Sequence, residues 1–170
     1  MGLLDKFFGN NNQLPEVTTI LPAPAKVEIM AGRLPILNSD ALFTQKGEKI
    51  HFIDKAMTME IKKVKSYQHM GVSSPGLFKG HRMNFGGAKP IEKEVPEFHP
   101  GILYITSQRV VLQSKDKGFD KAYKYLTAIK PYSNGIELQF GNKTYSLIMY
   151  DGNVPYQALQ IIKEKRGRNY

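Results

Sequence analysis

The stretch that decides the fold is GILYITSQRVVL, residues 101–112. Its two halves, residues 101–106 and residues 109–113, are rich in β-branched and aromatic side chains, which favour strands. Only Ser107 and Gln108 separate them, and a connection of two residues is typical of a tight hairpin. The sequence therefore predicts an antiparallel strand pair here.

Downstream of this hairpin the alternation of apolar and polar residues continues. Residues 123–132 form a predicted strand that ends at Ser133-Asn134-Gly135, and Asn-Gly is a strong turn signal because both residues tolerate positive φ. Residues 136–140 alternate, Gly141-Asn142 marks the next turn, and residues 144–149 return as another strand. The prediction is a β-meander.

The end of the chain changes from a period of two to a helical period. Asp151 or Asn153 can cap a helix, and Pro155 is tolerated in its first turn. The apolar residues then recur three and four positions apart, at Val154, Ala158, Ile161 and Ile162. This pattern predicts a C-terminal helix that packs on the sheet.

Upstream of the hairpin the alternation is shorter and less regular. Strands are predicted at residues 26–30, 48–53 and 56–67, and one capped helical turn is predicted at residues 41–43. The glycine-rich residues 71–87 predict either a strand pair bent by glycines or a mobile loop.

Three regions follow from these patterns. Residues 1–25 are predicted to be an amphipathic N-terminal segment with a flexible linker, residues 26–165 a β domain, and residues 166–170 a basic tail. In the first region, four apolar residues would share one face of a short helix: Leu3, Leu4, Phe7 and Phe8. That face would enter a membrane interface, dock on a partner or pack on its own domain. The longest apolar runs are three or four residues, so no transmembrane helix is expected.

The hairpin sequence resembles that of GRAM and bacterial pleckstrin-homology-like domains, which carry the pattern G-x-L-Y-I-T-x-x-R followed by apolar residues. Residues 47–52 resemble the opening strand of such domains, and residues 134–138 resemble a later hairpin. Leu112 stands where Phe is usual. The resemblance covers about residues 45–165. It implies a mainly β fold, an antiparallel β-sandwich or partly open barrel of about seven strands closed by one C-terminal helix, and the binding of acidic lipid headgroups or protein segments.

The chain is basic, with 24 Lys and Arg against 15 Asp and Glu and a net charge of +9. Residues 1–100 contribute +3 and residues 101–170 contribute +6. Two clusters form a candidate site for an anion or a partner: Lys62, Lys63 and Lys65, and Lys79, His81 and Arg82. The C-terminal cations form a second candidate surface, comprising Lys163, Lys165, Arg166 and Arg168.

Several kinds of chemistry lack the residues that they need. The chain has no cysteine, which excludes disulfides, thiolate metal sites and cysteine nucleophiles. Its four histidines form no H-x-x-x-H pair, no G-x-S-x-G or P-loop motif occurs, and the acidic run Glu92, Glu94 and Glu97 is typical of a solvated strand or loop. We therefore expect no catalytic residues, no metal and no cofactor.

These observations predict a cytoplasmic, non-enzymatic binding module, with peripheral attachment to a membrane as an option. Its partner would be a protein segment or an anionic lipid surface. A nucleic-acid-associated basic protein is the alternative, because Lys and Arg side chains also neutralise nucleic-acid phosphates. The sequence does not predict an oligomeric state.

Overall fold

The computed structural model describes residues 15–67 and 90–168. In chain order, the helices and strands are α1 (Ala23–Met30), β1 (Ile50–Tyr67), β2 (Pro90–Thr106), β3 (Arg109–Ser114), β4 (Phe119–Ala122), a 3-10 turn (Tyr123–Tyr125), β5 (Leu126–Tyr132), β6 (Gly135–Phe140), β7 (Lys143–Met149) and α2 (Asn153–Gly167). The strands form one seven-stranded sheet in the order β4-β3-β2-β1-β7-β6-β5.

The chain divides into two units. The first contains the residues up to Glu60 and those from Phe98 onward, and the second is Ile61–Glu97. Strands β1 and β2 each contribute residues to both units. The glycine-rich stretch at residues 71–87, which was predicted to be a bent strand pair or a mobile loop, lies outside the described residues.

The predicted hairpin at residues 101–113 is confirmed. Strands β2 and β3 pair antiparallel from Gly101 opposite Ser114 to Ile105 opposite Val110, and Ser107 and Gln108 connect them. The predicted meander is also confirmed, because β5 pairs with β6 and β6 with β7, both antiparallel. This order of elements confirms the predicted mainly β fold, an antiparallel sheet closed by one C-terminal helix. The sheet is open, with β4 and β5 at its two ends.

The main core lies between one face of the sheet and α2. Fully buried side chains from the strands include Phe52, Leu103, Val110, Ile136, Leu138 and Leu147. Helix α2 adds Val154, Ala158, Leu159 and Ile162, which recur at the predicted helical spacing. Each fully buried large apolar side chain contributes about 1.5–3 kcal/mol relative to an exposed one, so this stripe fixes the helix on the sheet.

The opposite face of the sheet is also covered in part. Leu42 and Leu37, from the segment before β1, pack against Tyr104 and Val111 of the central hairpin. Both faces of this hairpin are therefore buried, which explains its nearly continuous run of apolar residues.

The structure differs from the predictions in four places. Residues 26–30, predicted as a strand, belong to helix α1, which buries Ala25 and Ile29 four positions apart. Residues 41–43 form a turn and a bend rather than a helical turn, and β1 is one strand where two were predicted. The strand predicted at residues 123–132 begins at Leu126, because Tyr123–Tyr125 is a 3-10 turn.

Gly152 joins α2 to the β5–β6 turn at very short range. A Cβ atom at this position would lie 1.7 Å from the carbonyl oxygen of Gly135 and 2.4 Å from that of Tyr132.

We expect Gly152→Ala to lower the free energy of unfolding by about 2–4 kcal/mol, because the backbone of the turn or of the helix has to shift. Urea denaturation measures this. Gly167→Ala is the matched control, since a Cβ there meets no atom within 4 Å. Equal stability of the two variants would contradict the close approach.

Candidate functional site

A groove of about 360 Å³ lies between strand β5 and the last two turns of helix α2. The strand side of the groove consists of Leu126, Thr127, Ala128 and Ile129, with Tyr123 just before the strand. The helix side consists of Leu159, Gln160, Ile162, Lys163 and Arg166. We call this feature the β5–α2 groove.

Strand β5 is the last strand of the sheet on this side. Within residues 15–67 and 90–168, β6 is the only strand paired with it. A register shift between Leu126 and Ala128 interrupts that pairing, and the side chains of Thr127 and Ala128 are exposed. Bulges and shifts of this kind re-aim side chains at sheet edges. The first half of β5 therefore presents both backbone and side chains to the groove.

Helix α2 presents one stripe of residues to the groove, spaced three and four positions apart. Leu159 and Ile162 are 2% and 3% exposed, and they form its apolar base together with Leu126 and Ile129. Lys163 and Arg166 are exposed one turn further on and supply positive charge toward the end of the helix. The groove is therefore apolar at its base and cationic at one end.

Arg166 is held at that end by two contacts. Its guanidinium donates a hydrogen bond from Nη1 to the carbonyl oxygen of Ser107 at 3.3 Å, and it lies 5.2 Å from the ring centre of Tyr123. Tyr123 in turn donates from its hydroxyl to the carbonyl oxygen of Thr106 at 2.5 Å. Burial raises the pKa of the Tyr123 hydroxyl, although the Arg166 charge acts in the opposite direction. Tyr123 is therefore a fixed hydrogen-bond donor.

The β2–β3 turn that receives these contacts is itself fixed by a buried carboxylate. The side chain of Glu48 is fully buried, and its Oε1 accepts hydrogen bonds from the Thr106 hydroxyl at 2.6 Å and from Arg109 Nε at 2.9 Å. Its Oε2 accepts from the backbone N–H of Gln45 at 2.6 Å. Arg109 also binds the Phe43 carbonyl oxygen and the carboxylate of Asp120. The network ties the segment before β1 to β2, β3 and β4.

The charges in this network stabilise each other. Burial alone would raise the pKa of Glu48, but hydrogen bonds from Arg109, Thr106 and Gln45 outweigh burial and hold the pKa below its usual value. The hydrogen bond to Glu48 raises the pKa of Arg109, and Asp120 adds to that effect. Glu48 is therefore ionised and fully engaged inside the fold.

His51 shows that further cations gather at the same end of the sheet. It is buried, and its Nδ1 donates to the carbonyl oxygen of Pro35 at 2.7 Å. Burial lowers the pKa of His51, the hydrogen bond to Pro35 opposes this, and the charges of Lys165 and Lys49 lower the pKa further. Lys165 of α2 and Lys49 therefore lie near the same imidazole.

The first candidate site is only partly described. Lys62, Lys63 and Lys65 lie on β1 within the unit Ile61–Glu97, and all three are exposed. Lys62 forms an ion pair with Glu97 of the same unit. Lys79, His81 and Arg82 lie outside the described residues. A joint anion or partner site of these six residues therefore stays a prediction.

The C-terminal cations are described, and the structure separates them by role. Lys163, Lys165 and Arg166 lie on α2, which continues to Gly167, and Arg168 follows directly. Lys163 and Arg166 line the β5–α2 groove, whereas Lys165 is not among the residues that line it and its charge lowers the pKa of His51. Sequence reasoning found these cations but not the groove. The available signal was the spacing of Leu159, Ile162, Lys163 and Arg166 on one helical face.

Metal-binding clusters and membrane-spanning helices can be assessed for residues 15–67 and 90–168. There, no three His, Asp or Glu side chains come together in a way that would hold a metal ion. No helix in these residues has both the length and the apolar character that crossing a membrane requires. Glu92 and Glu94 are exposed on β2.

Comparisons with known proteins yield one structural similarity. No family model matches the chain, and no curated protein sequence matches it. Among solved structures the chain is similar to a Vps36 N-terminal PH domain, with 13% sequence identity, a TM-score of 0.42, and coverage of 79% of this chain and 93% of that chain. Membership of the GRAM family therefore stays a prediction, and function has to be argued from the groove.

The Glu48 network makes stability depend on pH in a defined direction. Because the folded-state pKa of Glu48 lies below its unfolded value, its contribution is complete above the unfolded pKa and is lost as the pH falls through the folded pKa. We expect Glu48→Gln to cost about 3 kcal/mol at neutral pH, since it leaves the charge of Arg109 poorly compensated. We also expect the variant to lose less stability than the unmodified chain on acidification.

Urea denaturation at neutral pH and at about pH 3 measures both effects. Glu92→Gln is the control, because Glu92 is exposed. Parallel loss of stability on acidification in Glu48→Gln and the unmodified chain would show that Glu48 is not the titrating group.

Proposed function

We propose that this chain is a non-enzymatic binding module that holds an extended protein segment in the β5–α2 groove. The observation that carries the proposal is the combination in one place of a terminal strand, an apolar base and two cations. Each of these three features corresponds to one part of an extended peptide: its backbone, its apolar side chains and an acidic group.

The backbone of β5 supplies the first contact. Strand β6 occupies one side of β5, and a segment that adds to the other side would form main-chain hydrogen bonds of the kind that extend a sheet. Such bonds give affinity without selecting a sequence. The exposed side chains of Thr127 and Ala128 are small and leave space for the incoming chain.

Side-chain recognition would come from the base and the end of the groove. Leu126, Ile129 and Ile162 provide apolar contact for one or two large side chains of the segment. Lys163 and Arg166 favour a carboxylate near the same place, and a guanidinium binds a carboxylate through two parallel hydrogen bonds. The preferred ligand is therefore an extended segment with apolar residues next to an acidic one.

The groups with shifted pKa values support binding rather than catalysis. Glu48 and Arg109 are bonded to each other, His51 is bonded to Pro35, and Tyr123 is bonded to Thr106. A catalytic acid or base needs access to its substrate, whereas these four groups are occupied within the fold.

The positive charge of the chain is also compatible with binding to nucleic acid or to an anionic lipid surface. Both would be held mainly by charge, with affinity that falls steeply as salt is added. An apolar groove beside one strand edge favours a protein segment, because the phosphate groups of the other two ligands gain nothing from Leu126 or Ile129.

The test begins by selecting decapeptides from a synthetic random library on the immobilised full chain. The affinity of a selected, labelled peptide is then measured by fluorescence anisotropy. We expect the double variant Lys163→Glu/Arg166→Glu to weaken an acidic peptide at least about tenfold, because it replaces attraction with repulsion. Ala128→Trp should weaken the peptide similarly by filling the groove. Lys46→Glu/Lys115→Glu is the control, with the same change in charge at exposed positions outside the groove.

Two outcomes would contradict the β5–α2 groove as the peptide-binding site. A selected peptide that binds all four proteins equally would overturn the groove as the site. Loss of binding in both charge-reversal variants, with none in Ala128→Trp, would indicate attraction by net charge alone. Urea denaturation of each variant confirms that it is folded.

A further inference from the structure

Helix α2 and strand β5 run in opposite directions along the β5–α2 groove. At one end, a Cβ atom on Gly152, the residue before α2, would lie 2.4 Å from the carbonyl oxygen of Tyr132, the last residue of β5. At the other end, the guanidinium of Arg166 lies 5.2 Å from the ring centre of Tyr123, which lies just before β5. The end of the helix therefore lies beside the start of the strand.

The charge in the groove lies at the start of β5. Among the described residues that line the groove, Lys163 and Arg166 are charged and the others are neutral. Ile129 and Leu159, which lie further toward the end of β5, are apolar. An anionic group of a bound segment is therefore attracted to one end of the groove.

The two sides of the groove meet at this cationic end. Tyr123 belongs to the strand side and Arg166 to the helix side, and the two side chains contact each other. Both are also fixed to the β2–β3 turn, because Tyr123 donates to the carbonyl oxygen of Thr106 and Arg166 donates to that of Ser107. A segment that follows the groove therefore reaches this contact and has to end there or turn away from β5.

Pro131 limits the part of β5 with which an added strand can pair. It is the next-to-last residue of β5, and a proline has no backbone N–H to donate. Prolines within sheets occur on edge strands, with the missing donor on the unpaired side. An added segment is therefore expected to pair with residues 126–130, and this part of β5 leads directly to the cationic end.

An antiparallel segment brings its C-terminal end to the two cations. Strand β5 already pairs antiparallel with β6, and antiparallel pairing is slightly more stable per residue than parallel pairing. A segment antiparallel to β5 runs toward the start of this strand, where Lys163 and Arg166 lie. A parallel segment would bring its N-terminal end there instead, and the same cations would repel a free ammonium group.

We propose that the β5–α2 groove binds the free C-terminus of a partner chain, antiparallel to β5, with the terminal carboxylate on Lys163 and Arg166. This inference rests on the proposed function, and it identifies the acidic group of the segment as the end of the chain. The bond to Ser107 uses one of several N–H donors of the Arg166 guanidinium, and the other donors can bind a carboxylate. An apolar side chain at the last or next-to-last position would contact Leu126 and Ile162.

The test uses two synthetic pools of random decapeptides that differ only at the C-terminus, one ending in a free carboxylate and the other in an amide. Both pools are selected on the immobilised full chain, and each selected peptide is resynthesised with the other C-terminus. A third form of each peptide keeps the carboxylate and adds Gly-Ser-Gly before it, which moves the charge by about 10 Å. Fluorescence anisotropy measures the affinity of each form.

We expect amidation and the Gly-Ser-Gly extension each to weaken binding at least about tenfold, because each removes the carboxylate from the two cations. In Lys163→Gln/Arg166→Gln, the acid, amide and extended forms should bind about equally. Lys46→Gln/Lys115→Gln is the matched control, with the same change in charge at exposed positions outside the groove. This control should retain the full effect of amidation.

Failure of this inference is distinguishable from failure of the proposed function. Peptides that bind equally in all three forms, and that Ala128→Trp weakens, would reject C-terminal recognition and keep the groove as the binding site. An effect of amidation that persists in Lys163→Gln/Arg166→Gln would place the carboxylate elsewhere and overturn the inference. Binding by no peptide of either pool, or binding that Ala128→Trp leaves unchanged, would overturn both.

Discussion

The carboxylate of Glu48, buried against Arg109 and Thr106, is the contact on which the rest of the structure depends. It joins the segment before β1 to the β2–β3 hairpin, and through Arg109 it reaches Asp120 of β4. The carbonyl oxygens of that hairpin turn then receive Tyr123 and Arg166. One internal ion pair therefore positions both the central strands and the cationic end of the β5–α2 groove. A buried pair of this kind is costly to break from one side, so it fixes geometry more than it adds stability.

The sequence predicts the fold well where burial leaves a simple pattern. The central hairpin is recognisable because both of its faces are covered, by the core on one side and by Leu37 and Leu42 on the other. Helix α2 is recognisable because its apolar residues face one sheet. The pattern fails at residues 26–30, where an alternating sequence fits a strand and also a short helix that buries only Ala25 and Ile29. Contacts with the rest of the fold decide between the strand and the helix, and a local sequence pattern carries no information about those contacts.

The groove could not be predicted from the sequence, because its two sides are far apart in the chain. Leu126 and Ile129 appear locally as an ordinary strand, and Lys163 and Arg166 appear as part of a basic tail. Only the position of β5 at the end of the sheet brings these residues together beside α2. The lysines at positions 62, 63 and 65 gave the more conspicuous charge pattern, whereas Lys163 and Arg166 line the groove together with Leu126 and Ile129. Charge alone therefore identified cations without identifying a site.

The central claim is that the β5–α2 groove is where this chain binds a partner segment. The most direct measurement is isotope-filtered NMR of the labelled chain with an unlabelled library-selected peptide, which reports the protons of the chain that lie close to the peptide. The account predicts nuclear Overhauser effects from the peptide to methyl groups of Leu126, Ile129 and Ile162. Effects confined to the strand that carries Lys62, Lys63 and Lys65, with none in the groove, would contradict it.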